Sequence, residues 1–301
     1  MSMIEALTGT GRAAQRPRRM HWVWAMPKAP LLLLVPSLAV LIIFLVLPLT
    51  VIVADSLAPN PIVQFQGLSL GNYTYLLSHR FYLDVVFRSI AWALITTVLA
   101  LPLGYVAAMI LTTLTGRMAN FAMMALTFPI LAGPLVVILG WMAILADGGP
   151  LFGPLVRWGL IAKPHMMGTD TAVITSMLHF VLPFVILTLY TALKQIPVAL
   201  NEAARNLGAN GLQRFIHVTL PLSAPGIVSA SVISFSVSAS SYVSPYYIGG
   251  ASKLTLTTLI SQFILATYNS QLAAAAAILL LLTMIVTIAV VAMLLRRIGR
   301  T

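Results

Sequence analysis

The stretch GLSLG, Gly67 to Gly71, has the spacing of a nucleophile elbow around Ser69, which would suit a serine hydrolase. That chemistry needs a strand before the serine and a helix after it in an α/β sheet. Here the stretch lies in a short polar segment between long apolar runs. GGASKL, around Lys253, hints at a phosphate loop but lacks the second glycine and the Lys-Ser/Thr pair that hold nucleotide phosphates. His21, His79, His165, His179 and His217 show no HExxH spacing, and no carboxylate pair suits acid–base work. Cysteine is absent, which removes thiolate metal ligands, disulfides and Cys nucleophiles. No catalytic residue and no metal site is expected.

The elements around these residues explain the missing chemistry. Of 301 residues, 60% are hydrophobic and only 8% charged. A water-soluble chain carries roughly a quarter of its residues as charges, so much of this surface faces something other than water. The net charge of +11 is spread along the chain rather than gathered in one patch, which argues against a nucleic-acid partner. Membrane lipid is the partner that composition demands.

Residues 1–30 form a polar, Arg- and Pro-containing cytoplasmic lead whose Trp22 and Trp24 suit a headgroup layer. Residues 31–54 are long enough to cross a bilayer and lack a small-x-small cleavage site, so a retained first span is expected. Five further spans are expected at 85–112, 120–146, 172–193, 226–248 and 272–295, followed by a cytoplasmic tail, 296–301. The chain thus reads as an all-α integral membrane protein with six transmembrane helices. Pro48, Pro102, Pro129 and Pro183 lie in or near spans, where neighbouring helices can satisfy the freed carbonyls. SLGNYTYLLSHRFYLD, between spans one and two, reads as a short interfacial helix. His179 falls inside the fourth span and is expected as a neutral histidine bonded to a neighbouring helix.

With the N-terminus inside, Arg12, Arg16, Arg18, Arg19, Lys28, Arg117, Lys194, Arg205, Arg214, Arg296, Arg297 and Arg300 are cytoplasmic. Arg80, Arg88, Arg157, Lys163 and Lys253 face the other side. Twelve against five places both termini in the cytoplasm.

One segment breaks the apolar monotony: NEAARNLGANGLQRFIHVTLPLSAPGI, residues 201 to 227. Pro197 suits a helix start, and Leu200, Ala203, Ala204 and Leu207 recur on one helical face. Gly208 can adopt the left-handed conformation that ends a helix. After the turn at Ala209-Asn210-Gly211, Leu212, Phe215, Ile216 and Thr219 trace a second short face, closed by Leu220-Pro221 and Pro225-Gly226. A helical hairpin spanning 197–221 is expected.

Glu202-Ala203-Ala204, Gly208, Val218 and Leu220-Pro221 resemble the EAA signature of permeases of binding-protein-dependent ABC importers. The family more often has isoleucine where Val218 stands. The resemblance implies the type I ABC importer permease fold over residues 85–295, preceded by an extra first span, in a bacterial inner membrane. It implies a hairpin that docks on a separate ATP-binding subunit, itself a dimer. It further implies a second, non-identical permease subunit and a periplasmic substrate-binding protein. This chain is expected to bind no cofactor itself, ATP and Mg²⁺ belonging to the partner ATPase. Tyr242-Val243-Ser244, Gly249-Gly250 and EAARNLGA are similar to the spermidine/putrescine subgroup.

Ser231, Ser234, Ser238 and Ser241 fall at helical spacing, with Tyr242 after them. They serve either as close helix packing or as part of a translocation path, and both readings stand at this point. Tyr242, Tyr246 and Tyr247 suit either an organic cation or an interfacial belt. No Asp or Glu lies in the middle of a span, so a polycation would meet no carboxylate there. Opines or other amino compounds, phosphonates and ferric iron are alternative solutes. An ion-gradient-driven transporter is the alternative class, and the missing central carboxylates argue against it.

Overall fold

A computed structural model describes residues 28–60, 67–162 and 165–298. Residues 1–27 of the expected cytoplasmic lead, including Trp22 and Trp24, lie outside them, as do Lys163 and Arg300. The chain divides into two units, Met1–Thr50 and Val51–Thr301.

The described part of the first unit is helical. It belongs to α1, Lys28–Leu57, whose apolar side chains from Leu34 to Leu49 are exposed around the whole helix. A helix hydrophobic on every side is built for hydrocarbon.

In the second unit, α2 (Gly71–Ser78) and α3 (Arg80–Thr113) are separated only by His79, whose extended backbone breaks the helix. The second span therefore begins at Arg80, earlier than the expected residue 85. Then come α4 (Gly116–Leu145), α5 (Phe152–Arg157), α6 (Asp170–Lys194), α7 (Val198–Asn206) and α8 (Gly211–Arg214). A π-helical turn, Phe215–Thr219, leads into α9 (Leu220–Ala239), and a second, Pro245–Gly249, precedes α10 (Leu256–Leu265) and α11 (Ser270–Ile298). Among the described residues there is no strand, and six helices are long and apolar enough to cross a bilayer.

Helices α3, α6 and α9 form the centre. Small residues set their spacing: a Cβ on Gly104 of α3 would strike Val185 of α6, and one on Gly226 of α9 would strike Ala192 of α6. Without a water-driven hydrophobic force between membrane helices, such close approach is what dispersion attraction needs. Ala100, Tyr105, Ala108, Val185, Leu189 and Ala230 fill the resulting core. At the other end, a polar clasp secures the segment after α1. The Asn60 and Asn269 side-chain amides pair reciprocally at 2.9 and 3.1 Å, and the Asn72 amide donates to the Ser56 and Ala58 carbonyls.

The expected fifth span, 226–248, is displaced. Helix runs without interruption from Gly211 to Ala239, so Leu220-Pro221 and Pro225-Gly226 do not close the hairpin. The π turn accounts for this. Leu220 N–H donates to the Phe215 carbonyl, five residues back, and the register change lets Pro221 enter where its missing N–H costs little.

Candidate functional site

Helix α7 ends where Gly208 takes φ +85°, a left-handed conformation that glycine adopts without steric penalty. The next helix starts with a capping box: Asn210 Oδ1 accepts from Gln213 N–H at 2.9 Å, and Gln213 Oε1 accepts from Asn210 N–H at 2.9 Å. The Asn-x-x-Gln spacing announces that cap in the sequence, although the hairpin was legible without it. Phe215 then packs edge-on against Tyr105 of α3 at 5.8 Å, while the Tyr105 hydroxyl bonds Ser223 Oγ at 2.8 Å. The hairpin is thus seated on the central helices through its second arm.

Its first arm is bare. Val198 of α7 and Leu207 just after it are 70% and 89% exposed, and Leu200, Glu202, Ala203 and Arg205 are exposed with them. Among the described residues neither Glu202 nor Arg205 makes an ion pair. Helix α7 is nine residues long, lies outside the six candidate spans, and still presents apolar side chains that nothing among the described residues covers. Gly208, Leu220 and Pro221 are also exposed, and Val218 is half-buried.

The serine positions separate. Ser231 and Ser234 are buried, Ser231 donating to the Ile227 carbonyl at 2.6 Å and Ser234 to Thr97 Oγ1 of α3 at 3.2 Å. Ser238, Ser241 and Tyr242 instead line a cavity of about 260 Å³ between α4, α6 and the end of α9. Ser241 and Tyr242 lie beyond the last residue of α9, so the four serines do not share one continuous helix. Helix α4 shapes the cavity from the far side. It kinks at Gly133, where φ is +78°, and the following Pro134 is part of the wall. Periodicity could not reveal this, because the backbone break lies inside an unbroken apolar run.

Near the cavity mouth Tyr242 and Tyr246 stack at 5.1 Å, and Tyr247 meets Tyr246 edge-on at 5.0 Å. His179 accepts through Nδ1 from Trp141 Nε1–H of α4 at 3.1 Å, a bond to a neighbouring helix that requires an unprotonated Nδ1. The two sequence decoys are occupied locally. Ser69 Oγ accepts from Gly71 N–H at 3.0 Å at the start of α2, and Lys253 pairs with Asp170 at 2.6 Å.

The arrangement combines a cavity of about 260 Å³ with an exposed short helix. Comparisons with known proteins place the chain among relatives. The family model described as "Binding-protein-dependent transport system inner membrane component" matches residues 100–300. The chain is 30% identical over 230 residues to the spermidine/putrescine transport system permease protein PotB of Haemophilus influenzae, covering 75% of this chain and 80% of the relative. Against PotB of Escherichia coli K12 it is 32% identical over 228 residues, covering 74% and 82%. A solved bacterial ABC transporter for import of the acidic polysaccharide alginate superposes with TM-score 0.72 at 17% identity, covering 90% of this chain and 96% of the other. The same kind of transporter, solved with its alginate pentasaccharide-bound periplasmic protein, superposes equally well at 16% identity. The fold is that of an ABC importer permease, and the chain belongs to the family of binding-protein-dependent transport system inner membrane components, as a multi-pass permease subunit of an ABC importer.

Proposed function

We propose that this permease moves polyamines such as putrescine and spermidine from periplasm to cytoplasm, driven by ATP hydrolysis in a separate subunit on which the α7 hairpin docks. The observation that carries the docking is the uncovered apolar face of α7 beside Glu202 and Arg205. A short amphipathic helix held rigidly at its base and bare at its tip has the form of a plug for a partner's groove. ATP binding closes the paired ATPases, and the docked hairpins rock the permease halves between inward- and outward-open states, a rigid-body switch. ATP and Mg²⁺ stay on that partner, and this chain contributes no cofactor.

The hairpin is cytoplasmic in this reading, as the distribution of basic residues requires, with both termini on the same side. A second, non-identical permease completes the path, and a periplasmic binding protein delivers the solute. The polyamine assignment is supported by similarity to the two PotB relatives over about three quarters of the chain.

The test is purification with the ATPase, the second permease and the binding protein, followed by reconstitution into vesicles. ATP-dependent accumulation of labelled putrescine or spermidine is expected. Uptake without nucleotide, or uptake of other solutes with the amines neither carried nor competing, overturns the proposal.

A further inference from the structure

Resting on the polyamine reading, we infer that the cavity between α4, α6 and α9 is an amine-binding site within this subunit, with Ser238 as its selective contact. Ser238 is only 3% exposed, and among the described residues its hydroxyl has no hydrogen-bond partner. A buried orphan of this kind marks a missing partner. It lies in the lining of the cavity, not in a sealed core.

Three of the other hydroxyls there already donate to carbonyls of the chain. Ser240 donates to the Ser236 carbonyl at 2.8 Å, Ser176 to the Val173 carbonyl at 2.7 Å, and Ser244 bonds Ser176 and the Val173 carbonyl. Each of these retains lone pairs after donating, and Ser241 and Tyr242 add further hydroxyl oxygens, so the lining is rich in neutral acceptors. The lining holds no Lys, Arg, Asp or Glu, and its remaining wall is apolar, including Ile138 and Phe180.

Such a site favours a ligand that brings many N–H donors on a methylene chain. A primary aliphatic amine does so, and the Tyr242 ring adds a π surface for its charge. A carboxylate would find no charged side-chain donor there, and a polyol would bring no charge for the Tyr242 ring to attract. The site thereby replaces the absent intramembrane carboxylate with neutral oxygens, which hold a cation without trapping it.

Because the chain has no cysteine, a single introduced thiol reports on the cavity. In the assembled complex, Ser241→Cys is labelled with a water-soluble maleimide in the presence of spermidine, sorbitol or glucuronate. Ser240→Cys serves as a second reporter in the same wall, and Tyr268→Cys, on an exposed turn, as the unprotected control. Spermidine should slow labelling at the cavity positions only. Adding Ser238→Val should weaken that protection about tenfold, the effect of one hydrogen bond to a charged donor. Absence of spermidine protection, equal protection by sorbitol or glucuronate, or full protection with Ser238→Val overturns the site. Loss of the site with amine uptake intact leaves the proposed function standing; protection without any amine uptake sinks that function and leaves the site.

Discussion

Gly226→Ala is the sharpest probe of the joint that links the hairpin to the membrane core. Gly226 is buried on α9, seven residues after the end of the π turn, and its missing Cβ faces Ala192 of α6. A Cβ there overlaps the Cβ of Ala192, which is fixed to the α6 backbone and cannot swing away. The two helices must separate, and overpacking of this kind costs about 1–3 kcal/mol. Replacing a helical glycine by alanine returns about 0.5–1 kcal/mol through backbone entropy. The net expectation is a destabilisation of about 0.5–2 kcal/mol. Ala192→Gly alone should cost about 0.5–1 kcal/mol for the opposite reason. Combined, the two changes move the small residue from one helix to the other and leave the crossing open, so the pair should lie near wild type. The coupling energy is therefore about 1–3 kcal/mol, well above the error of additivity. Thermal unfolding of the purified complex in detergent, followed by tryptophan fluorescence, reads each variant at roughly 2–4 °C per kcal/mol. A Gly226→Ala protein as stable as wild type, or an additive double variant, would refute the tight crossing.

Other expectations follow from the same contacts. Glu202→Lys should leave the protein membrane-inserted but remove solute-stimulated ATPase activity in the reconstituted complex; undiminished stimulation sinks the docking role. Gly208→Val places a β-branched residue at φ +85°, a strain of about 1–2 kcal/mol that should unseat the hairpin turn and reduce the same stimulation. Asn269→Ala removes the reciprocal amide pair and the cap on Leu272 N–H at 2.9 Å, and should lower stability by about 2–4 kcal/mol in the same unfolding assay. Trp141→Phe deletes the Nε1–H donor to His179 Nδ1 and should cost about 1 kcal/mol, whereas His179→Gln, which keeps an acceptor, should cost less.

Much of the fold was legible because bilayer spans are long apolar runs that need no tertiary knowledge. The hairpin was legible for a related reason: EAA, Gly208 and the flanking prolines are local backbone signals. What escaped the sequence was context. Pro221 and Pro225 read as helix breakers, yet the chain absorbs them with a π turn whose hydrogen bonds skip to the fifth residue. Ser231, Ser234 and Ser238 share a spacing, but Thr97 of α3 receives Ser234 while Ser238 opens on the cavity, a difference set by neighbouring helices. The Gly133 kink is similarly invisible, since Gly-Pro inside an apolar helix is tolerated as readily as it bends.

The continuity of Gly211–Ala239 also bears on transmission. Twenty-nine helical residues form a rod about 43 Å long at 1.5 Å per residue. One end carries the second arm of the hairpin; the other carries Ser238 in the cavity wall. A break at Pro221, as the sequence suggested, would have placed a soft joint between them and dissipated displacement. With the π turn in place, Tyr105 against Phe215 and bonded to Ser223 braces the rod at its one irregular point. Under the proposed docking, a push on α7 passes the Gly208 turn and then reaches the cavity wall along this one rod rather than through a chain of side-chain contacts. Tyr105→Phe removes the Ser223 bond but keeps the ring, while Tyr105→Ala removes both. If the brace matters for transmission, transport per ATP hydrolysed should fall progressively across that pair; equal ratios in wild type and both variants would place the transmission elsewhere.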